Sequence, residues 1–208
     1  MHIIEMLYSL GIFQGVTLLI VLLAVKGSRQ HSNRIMAIMV VVLTLVLTHH
    51  WLIKTGYFLT SPNFGIMYLP LNFLIGPLLY FYGLSLTQQS VTKKQLFHLI
   101  PATAMLLPAL LFANISQEQS SNILNYLWYR EVSFEELDLS NMLWPSAWEL
   151  WVKNSWQGTA FMVHVGIYCV LLHRVIKLNH AQLITHYSSL ESRDLKWLRN
   201  LNLLLVFY

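Results

Sequence analysis

Ile66-Met67-Tyr68-Leu69-Pro70-Leu71-Asn72-Phe73-Leu74-Ile75-Gly76-Pro77-Leu78-Leu79-Tyr80-Phe81-Tyr82-Gly83-Leu84-Ser85-Leu86-Thr87 runs for 22 residues without a charged side chain. A helix rises about 1.5 Å per residue, and the hydrocarbon core of a bilayer is roughly 30 Å thick, so about 20 residues suffice to cross it. The stretch is therefore predicted to be a transmembrane helix. It contains Pro70, Gly76, Pro77 and Gly83, which membrane helices tolerate better than soluble ones do.

Similar runs lie on both sides of it, at about 3–25, 35–53, 96–115 and 158–176. Composition agrees with them. Apolar residues make up 56% of the 208 and charged residues 11%, whereas about a quarter of a typical soluble domain is charged. Mean hydropathy is +0.54. The predicted fold class is all-α: a polytopic helical membrane bundle with five complete spans and the start of a sixth. That sixth run, 197–208, has 12 residues, about 18 Å of helix, and cannot cross. The expectation is that the chain stops inside its sixth helix; a re-entrant terminal helix is the alternative. The N-terminus lacks a basic region and a small-residue cleavage site, and Glu5 replaces the expected positive charge, so the first run reads as a retained span. The single cysteine, Cys169, excludes an internal disulfide framework and a cysteine-cluster metal site.

The net charge of +4 does not point to nucleic acid, because the basic residues sit in short connections. Lys26, Arg29 and Arg34 follow the first run, Lys93 and Lys94 precede the fourth, and Arg174, Lys177, Arg193, Lys196 and Arg199 surround the connection to the sixth. Together they are 10 of the 13 basic residues. The other side holds only Lys54, Arg130 and Lys153, with seven of the nine acids. Under the positive-inside rule this places the N-terminus outside, and the long polar segment 116–157 with it.

Several residues invite a functional reading. Gly11 and Gly15 form a G-x-x-x-G pair, which lets two helices approach closely. We read it first as packing within the chain, with a homodimer contact as the alternative. Pro70 and Pro77 share a face of the third run, and Asn72 lies between them. This is either a simple kink with Asn72 bonded to a neighbouring helix or a helix broken around a ligand cavity near Asn72. His49 and His50 lie near the outer end of the second run; His164 and His173 fall on opposite faces of the fifth. None has metal-site spacing, so hydrogen-bonded or interfacial roles come first. The segment 116–157 contains Trp128, Trp144, Trp148, Trp151 and Trp156, five of the seven tryptophans. Ser133 with Glu136, and Ser146 with Glu149, have capping-box spacing and predict two short helices. These tryptophans form either an interfacial belt or an aromatic lid over an opening that holds an apolar ligand. The candidate ligand-binding residues are Asn72, Trp144, Trp148, Trp151, His49 and His50. Ser188 and Glu191 begin a further predicted helix, either a relay, on which Trp197 and Arg199 are candidate relay residues, or an ordinary basic anchor. No catalytic motif, metal site or cofactor site is read, which argues against an enzyme.

Four sets of residues carry a family likeness: Gly11-Ile12-Phe13-Gln14-Gly15; Asn33-Arg34-Ile35-Met36-Ala37; Pro70 to Tyr82 with Gly76-Pro77-Leu78-Leu79-Tyr80; and His98-Leu99-Ile100-Pro101 together with Leu195-Lys196-Trp197-Leu198-Arg199. With them the chain resembles the seven-span membrane-sensor region of bacterial AraC-type helix-turn-helix transcriptional regulators. The resemblance implies a multi-pass protein of the bacterial inner membrane. It implies a remainder holding the rest of span six, span seven and a cytoplasmic DNA-binding domain, so DNA would be a partner only through that domain. The expected partners of this chain itself are the lipid bilayer, a small apolar ligand and a second copy of the chain. A kinase or other output, or a stand-alone transporter or membrane enzyme, is the alternative.

Overall fold

The computed structural model describes residues 3–24, 30–87, 92–129, 131–140, 142, 143, 145, 148, 149, 152 and 156–186. Among these there is no strand. The described residues form six α-helices whose bounds are defined, α1 (Ile3–Ala24), α2 (Gln30–Lys54), α3 (Tyr68–Leu86), α4 (Ile100–Ala113), α5 (Gln117–Leu124) and α6 (Trp156–His186), and Pro145, Trp148, Glu149 and Val152 are also helical. Among the described residues five segments are long and apolar enough to cross a membrane, formed by α1, α2, α3 with the turns before it, α4 with the 3-10 turn before it, and α6. The all-α membrane bundle expected from the sequence is the observed fold.

The helices are not equivalent. α3 is central and contacts α2, α4 and α6, whereas α1 lies against α2. In its most apolar window 61% of the α3 segment is buried, against none of α1. Lipid tails are as apolar as leucine, so burying apolar surface does not drive helices together inside a bilayer; close packing does. Glycine supplies that here. A Cβ on Gly76 would lie 2.8 Å from Cγ of Tyr168, and one on Gly83 would meet the tip of Leu172. Both contacts lie on α6. Below them, Met39 and Val42 of α2, Leu78 and Leu79 of α3, and Leu172 and Ile176 of α6 form one apolar layer.

Two boundaries differ from the sequence reading. α6 has 31 residues and runs ten beyond Ile176, where a polar connector was expected. No Gly or Pro occurs between Lys177 and His186, so polarity there ends the apolar run but nothing breaks the backbone ladder. Ser133 starts only a single 3-10 turn (Phe134–Glu136), and its hydroxyl bonds the Glu136 carboxylate at 3.0 Å rather than a backbone N–H. The third span is not a broken helix. α3 is continuous through Pro77, with Pro70 in its first turn, where a missing N–H costs nothing. Ser146 and the Ser188 helix lie outside the described residues.

The continuity of α3 has a specific support. Pro77 has no N–H, so the carbonyl four residues earlier, that of Phe73, loses its helical partner. His164 on α6 replaces it, with Nε2 3.0 Å from the Phe73 oxygen. His164 is buried and His173 exposed, the opposite-face arrangement expected from their spacing.

Candidate functional site

The segment 57–64 and the described residues between 114 and 152 fold together over one end of the bundle as a cap. Asn63 fastens it. Its side-chain amide donates to the carbonyls of Ala113 (3.1 Å) and Ile115 (2.8 Å), and its Oδ1 accepts from the Ser120 hydroxyl (3.3 Å). Two carbonyls at the end of α4, which the helix itself cannot satisfy, are thus tied to the loop before α3. Ser116 caps the other side of the corner, its Oγ accepting from Gln119 N at 3.2 Å to begin α5. The Tyr129 hydroxyl donates to the carbonyl of Ile53 at 2.8 Å, closing the cap onto the end of α2. Burial, and secondarily the charge of Glu131, raises the Tyr129 hydroxyl above the usual tyrosine pKa, so it remains a donor at neutral pH.

Beneath these bonds lies an apolar centre that includes Phe58, Ile66, Phe112, Leu124 and Trp148. Trp148 is 5% exposed, and its ring lies 6.1 Å from that of Phe112. The tryptophan read as either belt or lid is therefore a buried side chain of the cap. Next to it opens a cavity of about 300 Å³. Leu111, Met142, Leu143 and Trp148 give it an apolar wall, and Asn114, Ser116 and Gln119 a polar one. Small-molecule pockets begin at about this volume and combine such walls.

On the α2 side the cap holds a cluster of rings. His49 lies against Phe58 (4.7 Å between centroids) and Tyr68 (4.8 Å). Trp128 lies against Tyr68 at 5.5 Å and His50 at 6.4 Å. His50 also stacks on Tyr8 of α1, and its Nδ1 is 2.8 Å from the carbonyl of Val46. Trp128 belongs to a single π-helical turn (Asn125–Tyr129) that continues α5; such turns cluster at functional sites.

Of the residues proposed from the sequence, the fold brings His49, His50 and Trp148 into this one cap. Asn72 is half-buried on α3, outside the ring contacts and hydrogen bonds that build the cap. Trp144, Trp151, Trp197 and Arg199 lie outside the described residues. Gly11 and Gly15 face α2: a Cβ on Gly11 would be 3.3 Å from Leu47, and one on Gly15 would meet the Thr44 hydroxyl and lie 3.2 Å from its Cβ. Both glycines thus lie against α2 of the same chain. Asn63, Tyr68 and Phe112 were not singled out in the sequence, and Trp128 was named only among the tryptophans read as belt or lid. Only Asn63 carries a local signal, a Pro-Asn pair in a turn; the other three become partners through folding alone. No group of three or more metal-ligating side chains occurs among the described residues.

The fold and this cap define the class: a polytopic helical membrane protein with a folded aromatic cap on one end of its bundle. No family model, curated protein or solved structure matches the chain.

Proposed function

We propose that this chain is the signal-sensing membrane region of a bacterial transcriptional regulator, resident in the inner membrane, with its cap outside and its output in the cytoplasm. The cavity beside Trp148 carries the reading. It sits in the cap, it has one apolar and one polar wall, and it lies between α4 and the chain leading into α6. A small amphiphile with an apolar body fits both walls. α6 then provides the route of the signal. It begins beside the cap and continues for 31 residues, about 46 Å, past the basic residues Arg174 and Lys177 towards the segment that starts at Ser188. A ligand acts only through different affinity for two states, and a rigid helix joining cap to cytoplasm couples a change at one end to the other.

The test joins the chain to a reporter DNA-binding domain in a bacterial host and applies a panel of small amphiphiles. Leu143 is exposed and lines the cavity, so Leu143→Trp fills it without disturbing the core. An output that responds to at least one amphiphile and loses the response in Leu143→Trp is expected. An output indifferent to all of them, or a response that Leu143→Trp leaves unchanged, overturns the proposal.

A further inference from the structure

Two buried polar atoms in the ring cluster of the cap meet no partner. His49 is 8% exposed, and its Nδ1 is buried without a hydrogen bond, as is Nε1 of Trp128. Both rings lie against Tyr68, at 4.8 and 5.5 Å, and His50 touches all three, at 6.1, 5.7 and 6.4 Å from His49, Tyr68 and Trp128. A third such atom, Oδ1 of Asn125, belongs to the same π-helical turn as Trp128. Native proteins rarely leave buried polar groups unpaired, and each exception calls for an occupant. Here the demand is greater, because His49 lies five residues before the end of α2, about 7.5 Å along the helix, where little bulk water competes.

The senses of these atoms define the occupant. The other nitrogen of His49, Nε2, faces the carbonyl of Phe64 at 3.4 Å. A carbonyl only accepts, so Nε2 carries the proton and Nδ1 of the neutral ring is an acceptor. The Trp128 indole only donates, and Asn125 Oδ1 only accepts. An anion would face the His49 acceptor. A metal ion or an ammonium group would meet the Trp128 N–H. What fits is a neutral group that accepts one hydrogen bond and donates at least one.

We propose that His49, Tyr68 and Trp128 form a binding site for a single hydroxyl, with Trp128 Nε1 donating to its oxygen and His49 Nδ1 accepting its proton. The hydroxyl belongs either to a trapped water or to the head of a membrane-dissolved alcohol whose apolar body lies among the rings. The site stands whether or not the chain serves a regulator, since it lies in the α2 ring cluster and shares no lining residue with the Trp148 cavity.

The experiment uses the full chain, labelled with ¹⁵N at tryptophan indole nitrogens, in phosphatidylcholine nanodiscs. The Trp128 signal is the one lost in Trp128→Phe. The probes are 1-butanol and its isomer diethyl ether, which accepts a hydrogen bond but donates none. For an alcohol site, 1-butanol shifts the Trp128 N–H saturably, ether binds at least tenfold more weakly, and His49→Phe weakens 1-butanol by a similar factor. For a water site, the Trp128 N–H shows a magnetisation-transfer peak to a bound water that neither isomer displaces and that His49→Phe removes. A Trp128 signal with neither behaviour, or one that answers both isomers alike, overturns the proposal. Because His49→Phe can disturb folding, a second readout uses ¹⁵N-histidine: the His49 Nδ1 signal moves with the same occupant, and the conservative Trp128→Phe reduces that movement. A His49 signal indifferent to Trp128→Phe also overturns it.

Discussion

The carbonyl of Phe73 shows how one residue's chemistry fixes another's role. Pro77 removes its partner and His164 restores one at 3.0 Å. Losing a buried partner costs about 1–3 kcal/mol, so His164→Leu is expected to lower stability by that order in thermal unfolding from nanodiscs. Pro77→Ala returns an N–H to the helix. In that background His164→Leu should cost less, with a coupling of about 1–2 kcal/mol. Strict additivity would show that the two side chains do not serve one carbonyl. Asn63 allows a similar argument with the opposite sense. Its amide donates to two carbonyls, so Asn63→Asp removes both donors and adds a charge facing two acceptors. It should destabilise at least as much as Asn63→Ala, each by about 1–3 kcal/mol; an aspartate variant of normal stability would show that the cap is fastened elsewhere. Both roles were invisible in the sequence, because Phe73 and His164 are 91 residues apart and Asn63 and Ile115 are 52 apart.

Between elements, the glycines rank by what faces them. At Gly76 an added methyl meets the Tyr168 ring close to its root, 3.2 Å from Cβ, whereas at Gly83 it meets mainly the end of Leu172. A leucine tip can swing aside and a ring root cannot. Gly76→Ala should therefore separate α3 from α6 at a cost of about 1–3 kcal/mol, and Gly83→Ala should cost clearly less. The same reasoning places Gly15→Ala above Gly11→Ala, since Thr44 is β-branched and its hydroxyl is already bonded to the carbonyl of Val40, while Leu47 can yield. Thermal unfolding of the four variants reads the order; equal effects within either pair would refute the close-approach argument. The five spans themselves were legible because each is a run of apolar residues of bilayer length. Their ends were less so. α6 outruns its apolar stretch because helix continuation depends on backbone bonding as well as on hydropathy, and Ser133 with Glu136 had the spacing of a capped helix but produced one turn.

For the whole molecule, the charge distribution predicts that the cap faces outwards. Cys169 is buried, which leaves a quiet background for single-cysteine labelling. In intact cells a membrane-impermeant maleimide should modify Glu135→Cys, exposed on the cap, and leave Lys94→Cys, exposed at the opposite end, unmodified until the membrane is opened. The reverse pattern would invert the topology and, with it, the proposed direction of signalling. The sequence by itself determined that this is a helical membrane protein and how many described spans it has, because those properties follow from local composition and spacing. Only the tertiary structure decided that His49, Tyr68 and Trp128 share one cluster, that Trp148 is buried beside a cavity, and that His164 completes a helix it does not belong to. Each depends on which side chains meet across distant segments, and no local pattern encodes that meeting.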